Sequence, residues 1–195
     1  MTTVLKNLIQ QNLGSSLSNV TIVNTTYQFS CTSATLFIGQ QVLISGNFGG
    51  TGSILGYYGS PTIYYVTSTN GTTGFSLSAT YGGTNVTTST GTPTGLTYMI
   101  STIVLTTNAA ATTTIIGMSF TNTTQDQVLV SARLTDPNNW PSGGFYLYNS
   151  PVPAFQSLRA VSGGEKLVMQ LSSTVQVLVS IPTSIDLVMS WVELS

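Results

Sequence analysis

The chain is predicted to be all-β: a small barrel-like module, then a β-sandwich of Ig-like or jelly-roll topology, behind a short N-terminal helix or arm. Three observations predict this. Short runs rich in Val, Ile, Thr and Tyr recur along its 195 residues. Clusters of Gly, Asn, Pro and Ser interrupt them every dozen residues or so. Helical spacing is found in one stretch only. The expected divisions are an arm over 1–26, the small module over 27–99 and the sandwich over 100–195.

The helical stretch comes first. Leu5, Leu8, Ile9 and Leu13 fall at i, i+3, i+4 and i+8, one face of a short amphipathic helix, and Gly14 offers a C-cap. About three turns of helix are marginal alone, so the stripe must dock. It either packs on its own domain or serves as an attachment arm on a neighbour.

From Tyr27 to Tyr98 short strands alternate with turns. Tyr27–Cys31, Gln41–Gly46, Thr62–Thr67 and Phe75–Ser78 read as strands, and Asn70-Gly71 is a hairpin turn signal between the last two. Gly95–Tyr98 closes the module. The run Gly46–Ser53 has the glycines of a phosphate cradle but no Lys and no following helix, which excludes a P-loop; it is expected to be a flexible loop. Five sequons occur, as chance supplies in so Thr-rich a chain.

The sandwich begins with Ile103–Leu105 and Thr113–Phe120, separated by a turn at Asn108–Ala111. Gln127–Leu134 alternates, with Val128, Val130, Ala132 and Leu134 inward and Gln127, Ser131 and Arg133 outward. Asp136-Pro137-Asn138-Asn139 is a turn, Phe145–Asn149 a strand, and Pro151-Val152-Pro153 an extended crossover. Of three closing runs, Leu167–Leu171, Val175–Val179 and Leu187–Val192, the last two carry apolar residues on both faces, and such strands need cover on both faces. The core covers one. A second copy of the chain is expected to cover the other, through a seam formed by Leu178, Val188, Val192 and Leu194, in a closed homo-oligomer with a trimer favoured over a dimer.

Composition narrows the function. Charged residues make up 5% of the chain, net charge is −1, and no Asp, Glu, Lys or Arg lies between Lys6 and Asp126. Without a basic patch no nucleic-acid partner is expected. Without a polybasic run or a long apolar span no membrane partner is expected, and no signal peptide is read at the start. A chain this short of ions suits life packed against neighbours. Cys31 is alone, which fits synthesis in a reducing cytoplasm.

Chemistry is sparse. There is no His, which removes Ser-His-Asp and Cys-His pairings and most zinc sites. Asp126, Asp136, Glu165, Asp186 and Glu193 are the only acids; the first three sit in turns, and the last two point to opposite faces of one strand. No catalytic residue, cofactor or metal is assigned. Tyr57, Tyr58, Tyr64, Tyr65 and Tyr81 are candidates for stacking on host glycan, with packing the favoured use.

Two sets of residues carry a resemblance. Phe29-Ser30-Cys31-Thr32 through Gly39-Gln40-Gln41-Val42, with Tyr64-Tyr65-Val66 and Asn70–Ser78, resembles a small β module of tailed-phage virion proteins. Val128–Leu134, Tyr148–Pro153, Gly163–Leu167 and Ser190–Leu194 are similar to the β-sandwich of phage accessory structural proteins, including those of cyanophages. The resemblance implies a non-enzymatic virion protein made in the host cytoplasm. Its favoured role is a capsid decoration or cement protein bound to the major capsid protein. The alternative is a neck, baseplate or tail-fibre component that binds host glycan.

Overall fold

The structure is a computed structural model describing residues 2–138 and 140–195. All its regular elements are strands. In chain order they are β1 (Thr3–Leu13), β2 (Ser15–Leu17), β3 (Thr21–Ile22), β4 (Phe29–Ser30), β5 (Gln41–Gly50) and β6 (Ser53–Ile54). Then come β7 (Thr62–Thr69), β8 (Gly74–Ser78), β9 (Thr88–Ser89), β10 (Pro93–Ile100), β11 (Thr102–Thr106) and β12 (Thr112–Asn122). The last six are β13 (Val128–Asp136), β14 (Trp140–Val152), β15 (Ser157–Val161), β16 (Leu167–Met169), β17 (Thr174–Val179) and β18 (Ile185–Leu194). The all-β expectation holds, and the strands fall into two units. One comprises the chain up to Ser15 together with Thr102–Ser195; the other is Ser16–Ser101.

The two units divide at residue 101, and residues 1–26 are shared between them rather than forming a separate arm. Their first part is a strand of the sandwich and their second part belongs to the small module. The expected helix is corrected with it: residues 3–13 form β1, paired antiparallel with β18 from Thr3↔Leu194 to Gln10↔Leu187. The pattern fits both structures. Apolar residues at 4, 5, 8 and 9 line one stripe of a helix, yet in a strand they place Leu5 and Ile9 on one face and Val4 and Leu8 on the other. β18, apolar on both faces, supplies the partner that decides between them.

In the small unit a seven-stranded sheet has the order β2-β10-β5-β7-β8-β4-β3. Its end strands are consecutive in sequence. Four Cα steps from Leu17 to Thr21 reach at most about 14 Å, whereas six strand spacings in a flat sheet would cover about 29 Å. The sheet therefore rolls up, and Ile22 exchanges both backbone bonds with Gly91 (2.8 and 2.9 Å). Inside lies a core that includes Ile22, Phe29, Val42, Ile44, Tyr64, Val66, Phe75 and Leu77. The predicted Asn70-Gly71 hairpin is present: Asn70 Oδ1 accepts the N–H groups of Thr72, Thr73 and Gly74 at 2.9–3.0 Å. Cys31 is buried in this unit, and burial pushes its thiol pKa up, away from the reactive thiolate.

Of the glycine-rich stretch Gly46–Ser53 expected to be a loop, Gly46–Gly50 is instead the second half of β5, paired with β10 from Pro93↔Gly50 to Leu96↔Gly46, and only Thr51 and Gly52 lie outside a strand. The glycines let two backbones touch. A Cβ on Gly46, whose φ is +100°, would lie 2.2 Å from the Gly95 carbonyl oxygen. Gly46→Ala is expected to lower stability by about 1–3 kcal/mol, read as a shift in the urea midpoint of the tyrosine near-UV signal. An unchanged midpoint would show that the two strands can separate at no cost.

The larger unit is a sandwich. A five-stranded sheet, β1-β18-β12-β15 with β16 also on β12, faces a four-stranded sheet, β11-β17-β13-β14. Ile115, Phe120, Ile185, Leu187 and Met189 from the first meet Val128, Val130, Ala132, Val175, Val177 and Val179 from the second. The alternation expected over Gln127–Leu134 is observed, with one difference. Ser131 and Arg133 point away from this core but are themselves buried, and Arg133 Nε donates to the Ser142 carbonyl at 3.0 Å. Pro151 and Val152, expected to begin an extended crossover, are instead the end of β14, paired with Leu129 and Val128 of β13, and Ser157–Val161, for which no element was expected, forms β15 on β12.

Candidate functional site: the outer face of the five-stranded sheet

A row of exposed apolar side chains lies on the side of the five-stranded sheet turned away from the sandwich core. On β18, Ile185, Leu187, Met189 and Trp191 join the core, so the intervening Val188, Val192 and Leu194 face outward. On β1, Leu8 packs on the same core and Leu5, Asn7 and Ile9 face outward. The pairing register then sets Leu5 opposite Val192 and Ile9 opposite Val188.

Two groups of residues singled out separately in the sequence thus become cross-strand neighbours. Leu5 is 62% exposed, Ile9 71% and Val188 46%; Val192 and Leu194 are half-buried. The row continues across the sheet, because Val192 pairs with Thr114 and Thr114 with Val168, itself 59% exposed. Ile116 adds a further outward apolar side chain at a bulge in β12. Side chains on one face of neighbouring strands act as a unit, so Leu5, Val192, Thr114 and Val168 make a single neutral strip across four strands.

Three of the eight residues assigned to the arm and the seam lie elsewhere. Leu13 is buried in the sandwich core and Leu8 packs against it. Leu178 is 2% exposed. It does point away from the sandwich core, as its odd spacing from Val175, Val177 and Val179 requires, but that side of β17 is closed within the chain. A seam open to a second copy therefore cannot include it. Val168 and Ile116 were missed. Alternation of Leu167, Val168 and Met169 was the available signal for the first, and no sequence pattern announces the bulge that turns out the second.

Behind the strip, an ion pair ties the edge strand down. Lys6 Nζ donates to Glu193 Oε2 at 2.7 Å, and Trp191 Nε1 donates to Glu193 Oε1 at 3.1 Å. The Lys6 hydrogen bond, then that of Trp191, hold the Glu193 carboxyl below its ordinary pKa of 4.5 against the opposing effect of burial. Because the folded form binds this proton less readily than the unfolded form, the contribution is complete above pH 4.5 and disappears as pH falls through the folded pKa. The melting temperature is expected to drop below about pH 4.5, and Glu193→Gln to flatten that drop while costing some stability at neutral pH. Equal acid slopes in the two proteins would contradict this.

Two of the other carboxylates accept backbone N–H groups. Asp186 Oδ1 accepts the Asn12 N–H at 2.9 Å and Asp136 Oδ1 accepts the Asn138 N–H at 2.9 Å. Among the described residues no three His, Cys, Asp or Glu side chains gather as metal ligands would. Of the five tyrosines considered for glycan stacking, Tyr57 and Tyr64 are buried in the small unit's core. Tyr65 and Tyr81 meet edge to face at 6.1 Å, and Tyr58 alone stands well clear of the surface. No family model, curated protein or solved structure matches the chain.

Proposed function

We propose that this protein is a non-enzymatic building part of a phage particle, a decoration or cement protein that binds the capsid exterior through protein–protein contacts. The observation that carries the reading is the in-register strip Leu5–Val192–Thr114–Val168. It is largely apolar, uncharged and at least partly exposed along its length, as a surface made to be covered by another protein should be. The small unit supports it from another side. Residues 16–101 contain no charged side chain, a surface poorly suited to a free monomer. The resemblance to tailed-phage accessory proteins supplies the particle.

The test uses particles prepared without this chain, to which the purified protein is added back. The wild-type protein should cosediment, and should remain bound as NaCl rises, because an apolar contact is not screened. Leu5→Asp with Val168→Asp should abolish cosedimentation while leaving far-UV circular dichroism unchanged, since both side chains are exposed. Release by moderate NaCl alone, or binding by the double variant, would overturn the reading.

A further inference from the structure

β1 is the end strand of its sheet, and its pairing with β18 shows which of its backbone groups remain open. Thr2 and Ser195 exchange both backbone bonds, at 2.8 and 3.2 Å. In an antiparallel ladder such pairs alternate with non-bonded ones. Val4, Lys6, Leu8 and Gln10 therefore bond to β18, while Thr3, Leu5, Asn7 and Ile9 turn their N–H and C=O groups to the open side. The register is unbroken from Thr3 to Gln10.

Edges of this length are usually protected by charges, prolines or bulges. The one such feature here is Lys6, a charge on the inner face of the strand, and Glu193 already neutralises it at 2.7 Å. There is no proline, and the irregularity lies beyond Gln10. The open edge is also self-complementary. With a two-fold axis at Asn7, two copies of β1 run antiparallel, Leu5 of each opposes Ile9 of the other, and Asn7 meets Asn7. Every open N–H and C=O of Leu5, Asn7 and Ile9 then finds a partner. A net charge of −1 puts little repulsion between the copies.

We propose that the edge of β1 binds the same edge of a second copy of this chain, joining two five-stranded sheets into one continuous sheet across a two-fold axis. The pairing places Ile9 and Val188 of one copy in line with Leu5 and Val192 of the other, so the outward apolar strip runs unbroken from copy to copy. An antiparallel pairing of like edges closes at two chains and cannot build a three-fold ring. The occupant is thus a second copy in a dimer, and the pairing concerns the purified chain alone, whatever particle it decorates.

Proline at position 7 tests this directly. The Asn7 N–H faces the open side, so Asn7→Pro removes no bond to β18 but blocks the centre of the new ladder. Leu5→Lys with Ile9→Lys provides a second block, using exposed positions whose change leaves the core intact. In sedimentation velocity at micromolar concentration the wild-type chain should run as a dimer and both variants as monomers, with melting temperatures close to wild type. A wild-type monomer or trimer, or a dimer that survives both variants, would overturn the proposal. Asn7→Pro leaves Leu5 and Val168 in place for the particle assay, so loss of self-pairing is read separately from loss of particle binding.

Discussion

A chain lacking residues 2–13 is expected to lose the sandwich rather than merely an appendage. The truncation removes Leu13 and Leu8 from the core, at roughly 1.5–3 kcal/mol for each buried side chain. It also removes the ladder from Thr3↔Leu194 to Gln10↔Leu187, whose bonds are worth about 0.5–1.5 kcal/mol apiece. Set against a typical domain stability of about 5–15 kcal/mol, the sum leaves little or nothing. β18 would also be left as an open edge apolar on both faces, which favours aggregation. Both tryptophans, Trp140 and Trp191, lie in this unit, and Trp191 stands opposite Lys6 of β1. The truncated protein should therefore be insoluble, or show a red-shifted tryptophan emission without a cooperative transition. A truncated chain that melts within a few degrees of the full one would mean that β1 contributes nothing to the fold.

The same strand shows what the sequence could and could not convey. Runs such as Val175–Val179 and Leu187–Val192 were legible because strand length, β-branching and flanking turns agree there, and the Asn70-Gly71 hairpin was legible because its turn chemistry is local. Residues 3–13 were not, because Leu5, Leu8, Ile9 and Leu13 satisfy the helical period while the strand is decided by β18, some 180 positions away in the chain. Tertiary pairing overrode the local pattern. The glycines of Gly46–Gly50 misled for a related reason: their use is to admit β10 at close range, which a single strand read alone does not reveal.

The candidate surface divides in the same way. Parity along β18 correctly placed Val188, Val192 and Leu194 on the side away from the core, since period-2 alternation is a local property. Parity on β17 turned Leu178 away from the core as well, but exposure is not local, and that residue is closed within the chain. The meeting of Leu5 with Val192 and of Ile9 with Val188 needed the register, which no part of either segment encodes by itself. Leu5 and Ile9 of the expected arm and Val188 and Val192 of the expected seam form one surface, so under the proposed function substitutions in β1 and β18 should weaken partner binding together and not additively.

Replacing Phe75 by Ala is expected to cost the small unit about 3–5 kcal/mol. Phe75 and Phe29 are both fully buried, lie opposite each other on β8 and β4, and stack with ring centroids 5.2 Å apart and planes 13° from parallel. β4 is two residues long and pairs through two residues with β8 and two with β3, so the ring pair holds a part of the rolled sheet that has few backbone bonds. The unit has no charged side chain to offset a loss, and the cavity is closed by β-branched and aromatic neighbours that cannot collapse freely into it. With a urea dependence of roughly 1–3 kcal/mol/M, the midpoint followed by tyrosine near-UV circular dichroism should fall by about 2 M. Seven of the nine tyrosines lie between residues 16 and 101, so that signal reports mainly this unit. Phe75→Leu, which fills most of the same volume, should cost less than about 1.5 kcal/mol. A Phe75→Ala midpoint within experimental error of wild type would show that the rolled sheet is held by its backbone ladder and not by this ring pair.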